Sequence, residues 1–134
     1  MSQSILKVCD RSKIQTIAKG AELMTQGHQS GPLYVLESGT IDILRDGLVV
    51  ASTSEPGAVF GEMSILLGTP HTATVRAKTA CQVYVFENGA AFVRSNPEIT
   101  FEIATLLAKR LSQATDYLTE LNDSVRSAGN IWAW

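Results

Sequence analysis

The stretch that decides the fold is Pro56-Gly57-Ala58-Val59-Phe60-Gly61-Glu62-Met63-Ser64-Ile65-Leu66-Leu67-Gly68-Thr69-Pro70-His71-Thr72-Ala73-Thr74-Val75-Arg76-Ala77. Gly61 lets the backbone bend into a short helix over about residues 62–67. The free amides of that helix's first turn, aided by the dipole, form an anion site. Gly68 and Pro70 then reverse the chain into a strand, residues 72–77, that carries Thr72 and Thr74. A helix N-terminus facing hydroxyl side chains suits a phosphate.

Upstream, short apolar runs are punctuated by Gly and Pro. Ile14-Gln15-Thr16-Ile17 stops at Lys19-Gly20, and Glu22-Leu23-Met24-Thr25 stops at Gly27. Leu33-Tyr34-Val35-Leu36 follows Gly31-Pro32 and ends at Ser38-Gly39. Thr40-Ile41-Asp42-Ile43-Leu44 meets Leu48-Val49-Val50-Ala51 across Arg45-Asp46-Gly47, and Asp-Gly between apolar runs predicts a hairpin. Glu55-Pro56-Gly57 is a turn. Downstream, residues 82–86 make one more β-rich run. Strands this short and this regularly spaced read as a barrel or sandwich with few exposed edges.

The pattern changes after Asn88. Residues 90–94 suit a short helix, and Ser95-Asn96-Pro97-Glu98 offers a polar cap with Pro early in the next one. Leu107, Leu111, Ala114, Leu118, Leu121 and Val125 then alternate at spacings of four and three. One reading is an amphipathic helix lying on the barrel. The other is a dimer coiled coil, which the strict alternation favours. A helix stop falls at Gly129.

Composition narrows the class. The 134 residues are 45% hydrophobic and 18% charged, as in a globular chain, and we expect a single domain over residues 1–134. The barrel would occupy about residues 14–87 and the helical part about 88–128. Such a chain buries roughly two-thirds of its unfolded surface and needs no metal or disulfide staple. The net charge of −2 argues against a nucleic-acid surface spread over the domain. The first residues lack a secretory core, and an uncharged stretch such as residues 63–74 is too short and polar to span a bilayer. Cys9 and Cys81 read as reduced thiols of a cytoplasmic protein.

The decisive stretch resembles the phosphate-binding cassette of cyclic-nucleotide-binding domains, the sensor modules of catabolite activator proteins, cyclic-nucleotide-dependent kinases and gated channels. Phe60-Gly61-Glu62-Met63 and Pro70-x-Thr72-Ala73-Thr74-Val75 carry the likeness in residue type and spacing. Leu33-Tyr34-Val35-Leu36-x-Ser38-Gly39-Thr40-Ile41 resembles the family's second signature. The similarity runs from about residue 14 to residue 121. It implies an α+β fold: a mostly antiparallel jelly-roll barrel (double-stranded β-helix) with a short cassette helix and a long C-terminal helix.

By that resemblance Glu62 accepts a hydrogen bond from the ribose 2′-hydroxyl. Gly61 and the backbone amides of Ser64 and Ile65 approach the sugar and cyclic phosphate, so residues 61–65, Met63 included, line the ligand. Thr72 and Ala73 follow near the phosphate, where a threonine can favour cGMP. The C-helix closes over the base, and bacterial members pair these helices as homodimers. The departure is His71, where the family pattern has an arginine that grips the phosphate with two prongs. Imidazole cannot reproduce that fork and is mostly uncharged near neutral pH. Losing such a charged pair costs about 1.5–3 kcal/mol, roughly ten- to a few hundredfold in affinity. A bound phosphodiester would raise the His71 pKa toward protonation. Arg76 shares a strand face with Thr74 and Thr72, and whether it reaches the ligand is open.

Each of these residues also has an ordinary reading. A carboxylate in a first turn is favourable without any ligand, and threonines are common strand residues. Trp132 and Trp134 suggest a lid stacked on a base, though terminal aromatics more often dock on an apolar patch or fray. Enzyme readings lack residues: His28 and His71 are the two histidines, with no metal-ligand spacing, no Ser nucleophile elbow and no P-loop. The residues beyond the long helix carry no helix-turn-helix pattern, so sequence-specific DNA binding is not expected. The expected function is a cytoplasmic sensor that binds cAMP or cGMP and signals through its C-terminal helix to a dimer partner or another protein. It needs no metal or other cofactor and no membrane. The rival is a degenerate member that keeps the fold, has lost nucleotide binding and serves as an interaction or dimerisation module. A barrel for some other anionic ligand is the third possibility.

Overall fold

Asp46 and Gly47 turn the chain as their residue types require, at φ of 53° and 81°. Two successive positive φ values define the hairpin turn whose twist matches its flanking strands, and Arg45 pairs with Leu48 across it. In the computed structural model, which describes residues 3–125, this hairpin joins β4 (Ile41–Arg45) to β5 (Leu48–Thr53). The preceding strands are β1 (Ile14–Ile17), β2 (Glu22–Met24) and β3 (Leu33–Ser38); β6 (Val59–Phe60), β7 (Thr74–Ala77) and β8 (Cys81–Phe86) come after it. All pairings are antiparallel, in two sheets of order β1-β8-β3-β6 and β2-β7-β4-β5. This is the jelly roll that the resemblance implies, built of the short strands that the spacing of the runs predicts, in an α+β chain.

Alternation along the strands builds the core. Leu36, Val83, Val85 and Phe60 from one sheet meet Ile41, Val75 and Ala77 from the other in one buried cluster. The opposite face of the first sheet is covered too, because Leu33, Val35, Tyr84 and Phe86 are also buried. Short helices α1 (Gln3–Lys7) and α3 (Gly89–Ser95) flank the strands, with a single 3-10 turn at Arg11–Lys13. Phe86 stacks on Phe92 of α3 with ring centroids 3.8 Å apart. The Asn88 side chain caps α3 by accepting from the Ala91 amide.

Three differences from the sequence reading have plain causes. The two-residue β6 escapes any periodicity test and exists because Val59 and Phe60 pair with Val35 and Tyr34. The strand expected over residues 72–77 begins at Thr74, where its ladder to Leu44 starts. Ahead of it, the His71 amide is taken by the His28 carbonyl. The opening segment, to which the sequence reading assigned no element, holds α1 and the 3-10 turn.

The chain divides after Glu102 into two compact units. Helix α4 (Pro97–Val125) opens in the first with Pro97 as its first residue, where the missing N–H costs nothing. Its residues from Ile103 onward make up the described part of the second unit. There Leu111, Leu118 and Leu121 are exposed, Ala114 with them, while Leu107 is half-buried. Gly129, Trp132 and Trp134 lie outside the described residues. No described helix is long and apolar enough to cross a membrane.

Candidate functional site

The cassette is built around two glycines. β6 ends at Phe60, and Gly61 takes φ 95° and ψ −4° and starts α2 (Glu62–Leu67). A side chain there is excluded twice: the φ is left-handed, and a Cβ would lie 2.8 Å from the Pro32 carbonyl oxygen. Gly68, at φ 67°, ends the helix and returns its N–H to the Ser64 carbonyl. The Ser64 hydroxyl donates to the Thr69 carbonyl at 2.5 Å and ties the helix to the next loop.

Within α2 the faces are sharply divided. Glu62 and Ser64 are buried, Glu62 to 4% exposure, whereas Met63, Leu66 and Leu67 face solvent. The Glu62 carboxylate sits in the first turn, where the amides' partial positive charge favours it. The Ile65 amide donates to the Gly61 carbonyl at 3.2 Å. The first-turn amides before it, Ser64 among them, have no acceptor within the helix. The half-buried Ile65 side chain lies over Gly89 at the start of α3. A Cβ on Gly89 would fall 2.3 Å from Ile65 Cδ1 and 2.8 Å from the Gly31 oxygen, so only glycine lets the two helices approach.

His71 is buried to 4% exposure and fastened to the loop between β2 and β3. Its N–H donates to the His28 carbonyl at 2.8 Å, and its carbonyl accepts from the Gly27 N–H at 2.9 Å. Its ring Nε2 lies 2.7 Å from the Ser30 hydroxyl. Burial pushes the imidazole pKa below its usual 6.5, and the nearby His28 lowers it further. The ring is therefore neutral at pH 7. Beyond it Thr72 is exposed and Ala73 half-buried. The Thr74 hydroxyl accepts from the Gln26 amide, which extends the seam between the two segments.

Arg76 stands on the sheet face opposite Val75 and Ala77, the members of the core, and in register with Glu22 and Asp42 on the flanking strands. Strand register sets a cation opposite two carboxylates there. Residues 61–65 and 71–73 thus lie on one stretch of chain, tied where Ser64 meets Thr69, and Arg76 follows on the strand beyond it. Sequence reasoning missed Ser30, His28 and Gly89. Ser30 is 41 positions from His71, and no local pattern links them.

Residues 14–92 match the family described as the cyclic nucleotide-binding domain. The chain belongs to that family. A cAMP-dependent protein kinase regulatory subunit from Yarrowia lipolytica is 33% identical over 82 residues, 61% of this chain and 21% of that protein. The like-named subunit from Eremothecium gossypii is 30% identical over 86 residues, 64% of this chain and 19% of its own length. The chain thus spans about a fifth of these curated relatives. Among solved structures, the Thermus thermophilus catabolite activator protein superposes with a TM-score of 0.71 at 26% identity, covering 90% of this chain and 58% of that one. A structure described as Sp-2Cl-cAMPS bound to PKAR CBD2 shares the fold, with a TM-score of 0.63 at 23% identity over 89% of this chain and 84% of that one.

Proposed function

We propose that this chain is a non-catalytic sensor that binds a cyclic nucleotide, cAMP or cGMP, in the cassette of residues 61–73. The observation that carries the reading is the Glu62 carboxylate. It is buried at the start of a helix introduced by a left-handed Gly61, inside the segment that matches the family. A buried carboxylate is an acceptor for a ribose hydroxyl, and the adjacent first-turn amides suit an anionic cyclic phosphate. The relatives' names supply cAMP as the first candidate and a kinase-regulating role as the wider context. Occupancy would act as a population shift, favouring the cassette position that holds ligand best and passing through Ile65 to Gly89 and α3.

The exposed seam Leu111, Ala114, Leu118 and Leu121 supports a homodimer through α4. A second reading, the non-binding interaction module, draws on His71. Its ring is paired with Ser30 and held neutral, so the arginine's charge has no replacement at that position.

Titration calorimetry with cAMP and cGMP, at about pH 6 and about pH 8, separates the two. Binding of either nucleotide with micromolar to sub-millimolar affinity upholds the sensor. Absence of heat with folded protein at millimolar nucleotide replaces it with the interaction module.

A further inference from the structure

A strut between two segments needs one nitrogen of an imidazole, and in His71 that nitrogen is Nε2, 2.7 Å from the Ser30 hydroxyl. The other, Nδ1, has no hydrogen-bond partner among the described residues, although the side chain is 4% exposed. Nor is Nδ1 sealed off. Among the described residues, the buried side-chain nitrogen or oxygen that lacks a partner is Oε2 of Glu102. Nδ1 therefore meets solvent, in the turn between α2 and β7 where the cassette ends. A hydroxyl suits a ring that changes charge, because it keeps its bond in both states. It donates to a neutral Nε2 and, by rotating, accepts from a protonated one. No acidic side chain among the described residues is bonded to the ring. The titratable group that acts on it is His28, on the same loop as Ser30, and it opposes protonation as burial does. The ring is thus neutral by itself and needs an anion beside it to become charged.

We propose that Ser30 is a positioning residue for the ligand's phosphate: it pins Nε2 of His71, so that Nδ1–H is the single prong the ring offers to a cyclic phosphate. This rests on the cyclic-nucleotide reading of the cassette. The phosphodiester brings the negative charge that the ring lacks alone, and the imidazole takes one proton from solvent as the ligand binds. Both ring nitrogens then donate, Nε2–H to the Ser30 oxygen and Nδ1–H to a phosphate oxygen. Without the hydroxyl, a protonated ring would keep one donor unpaired in a buried place, which opposes charging. The backbone bonds of His71 to His28 and Gly27 fix where the side chain starts, and Ser30 fixes how the ring is turned.

The test is calorimetry of the full chain with cAMP and with cGMP at about pH 6 and about pH 8, read as the ratio of the two affinities for each nucleotide. Wild type should bind more tightly at the lower pH. Ser30→Ala should weaken binding there by about tenfold and lose most of the ratio. Ser30→Thr, which keeps the hydroxyl, should keep the ratio. In a His71→Gln chain, adding Ser30→Ala should change affinity by less than about twofold, because the hydroxyl has no ring left to hold. A purely structural role for the loop would give the same loss at both pH values and in both backgrounds, and that result overturns the proposal. So does a Ser30→Ala ratio equal to that of wild type, which removes the role of Ser30 while leaving the sensor intact. If wild type binds neither nucleotide, the reading of the cassette fails and the role of Ser30 goes with it.

Discussion

The ring nitrogen Nε2 of His71 and the hydroxyl of Ser30 stand 2.7 Å apart, and the backbone of His71 is bridged on both sides to Gly27 and His28. Three contacts fasten the end of the cassette to one loop, and the imidazole at their centre is buried and neutral. The position where the family pattern places a ligand-gripping cation therefore serves here as a strut between two segments of the barrel.

This arrangement makes stability depend on pH in a defined window. Above pH 6.5, the ordinary histidine value, the ring is neutral folded or unfolded and contributes no slope. Below it the unfolded chain takes up a proton that the buried ring refuses, so stability falls until the lowered folded-state pKa is passed. Urea midpoints should drop between about pH 7 and about pH 5, and His71→Gln should remove that part of the drop. Asp10 acts elsewhere. Its pKa is lowered chiefly by the Ser12 amide, so its contribution is lost only as pH falls below 3.8. Parallel profiles for wild type and His71→Gln would show that His71 is not the titrating group.

In ligand binding the two key positions should move in opposite directions. Glu62→Gln removes the charged acceptor and should weaken cyclic nucleotide by about ten- to a few hundredfold. His71→Arg should tighten it by a comparable factor and flatten its pH dependence, while the wild type binds more strongly at pH 6 than at pH 8. Calorimetry on the three proteins reads all of this. Unchanged affinity in His71→Arg would take position 71 out of the ligand's reach.

Backbone demands can be tested with paired glycines. Gly61→Ala meets both a left-handed φ and a Cβ 2.8 Å from the Pro32 oxygen, whereas Gly68→Ala meets φ 67° with nothing within 4 Å. The second should cost about 1–2 kcal/mol, the left-handed penalty alone. The first should cost at least about 1 kcal/mol more, since the obstructing atom is backbone and cannot swing aside. Equal losses in chemical denaturation would mean that β6 shifts to relieve the contact.

For the seam on α4, Leu111→Glu and Leu118→Glu should each turn a dimer into a monomer in analytical ultracentrifugation. Tyr117→Glu, at an exposed position off the seam, should leave the mass unchanged. A wild-type chain that sediments as a monomer at high micromolar concentration would remove the dimer.

Much of the architecture was legible because it rests on short-range chemistry. Asp46-Gly47 specifies its turn by residue type, Pro97 its helix start, and Gly61 and Gly68 the bends that bracket six helical residues. The residues of the cassette, 61–65 and 71–73, fall within one short stretch, where the glycine-started helix is readable locally and the resemblance picks out the rest. Their roles toward a ligand are not visible in that spacing. They rest on the family resemblance and on the proposed nucleotide binding.

The amino-acid order by itself determined the kind and sequence of elements: short strands, a glycine-bracketed helix, and a long helix with alternating spacings of three and four. Tertiary structure alone decided which distant residues meet. The strand at Val59–Phe60 exists only against Tyr34 and Val35. Ser30 reaches His71 across 41 positions. Arg76 stands in register with Glu22 and Asp42, and Val8 joins Glu98 and Glu102 around one cavity. The physical reason is common to all of them. Turn and helix preferences are set by a residue and its near neighbours, but contacts across a jelly roll depend on the register of two sheets, which settles only when the whole core packs.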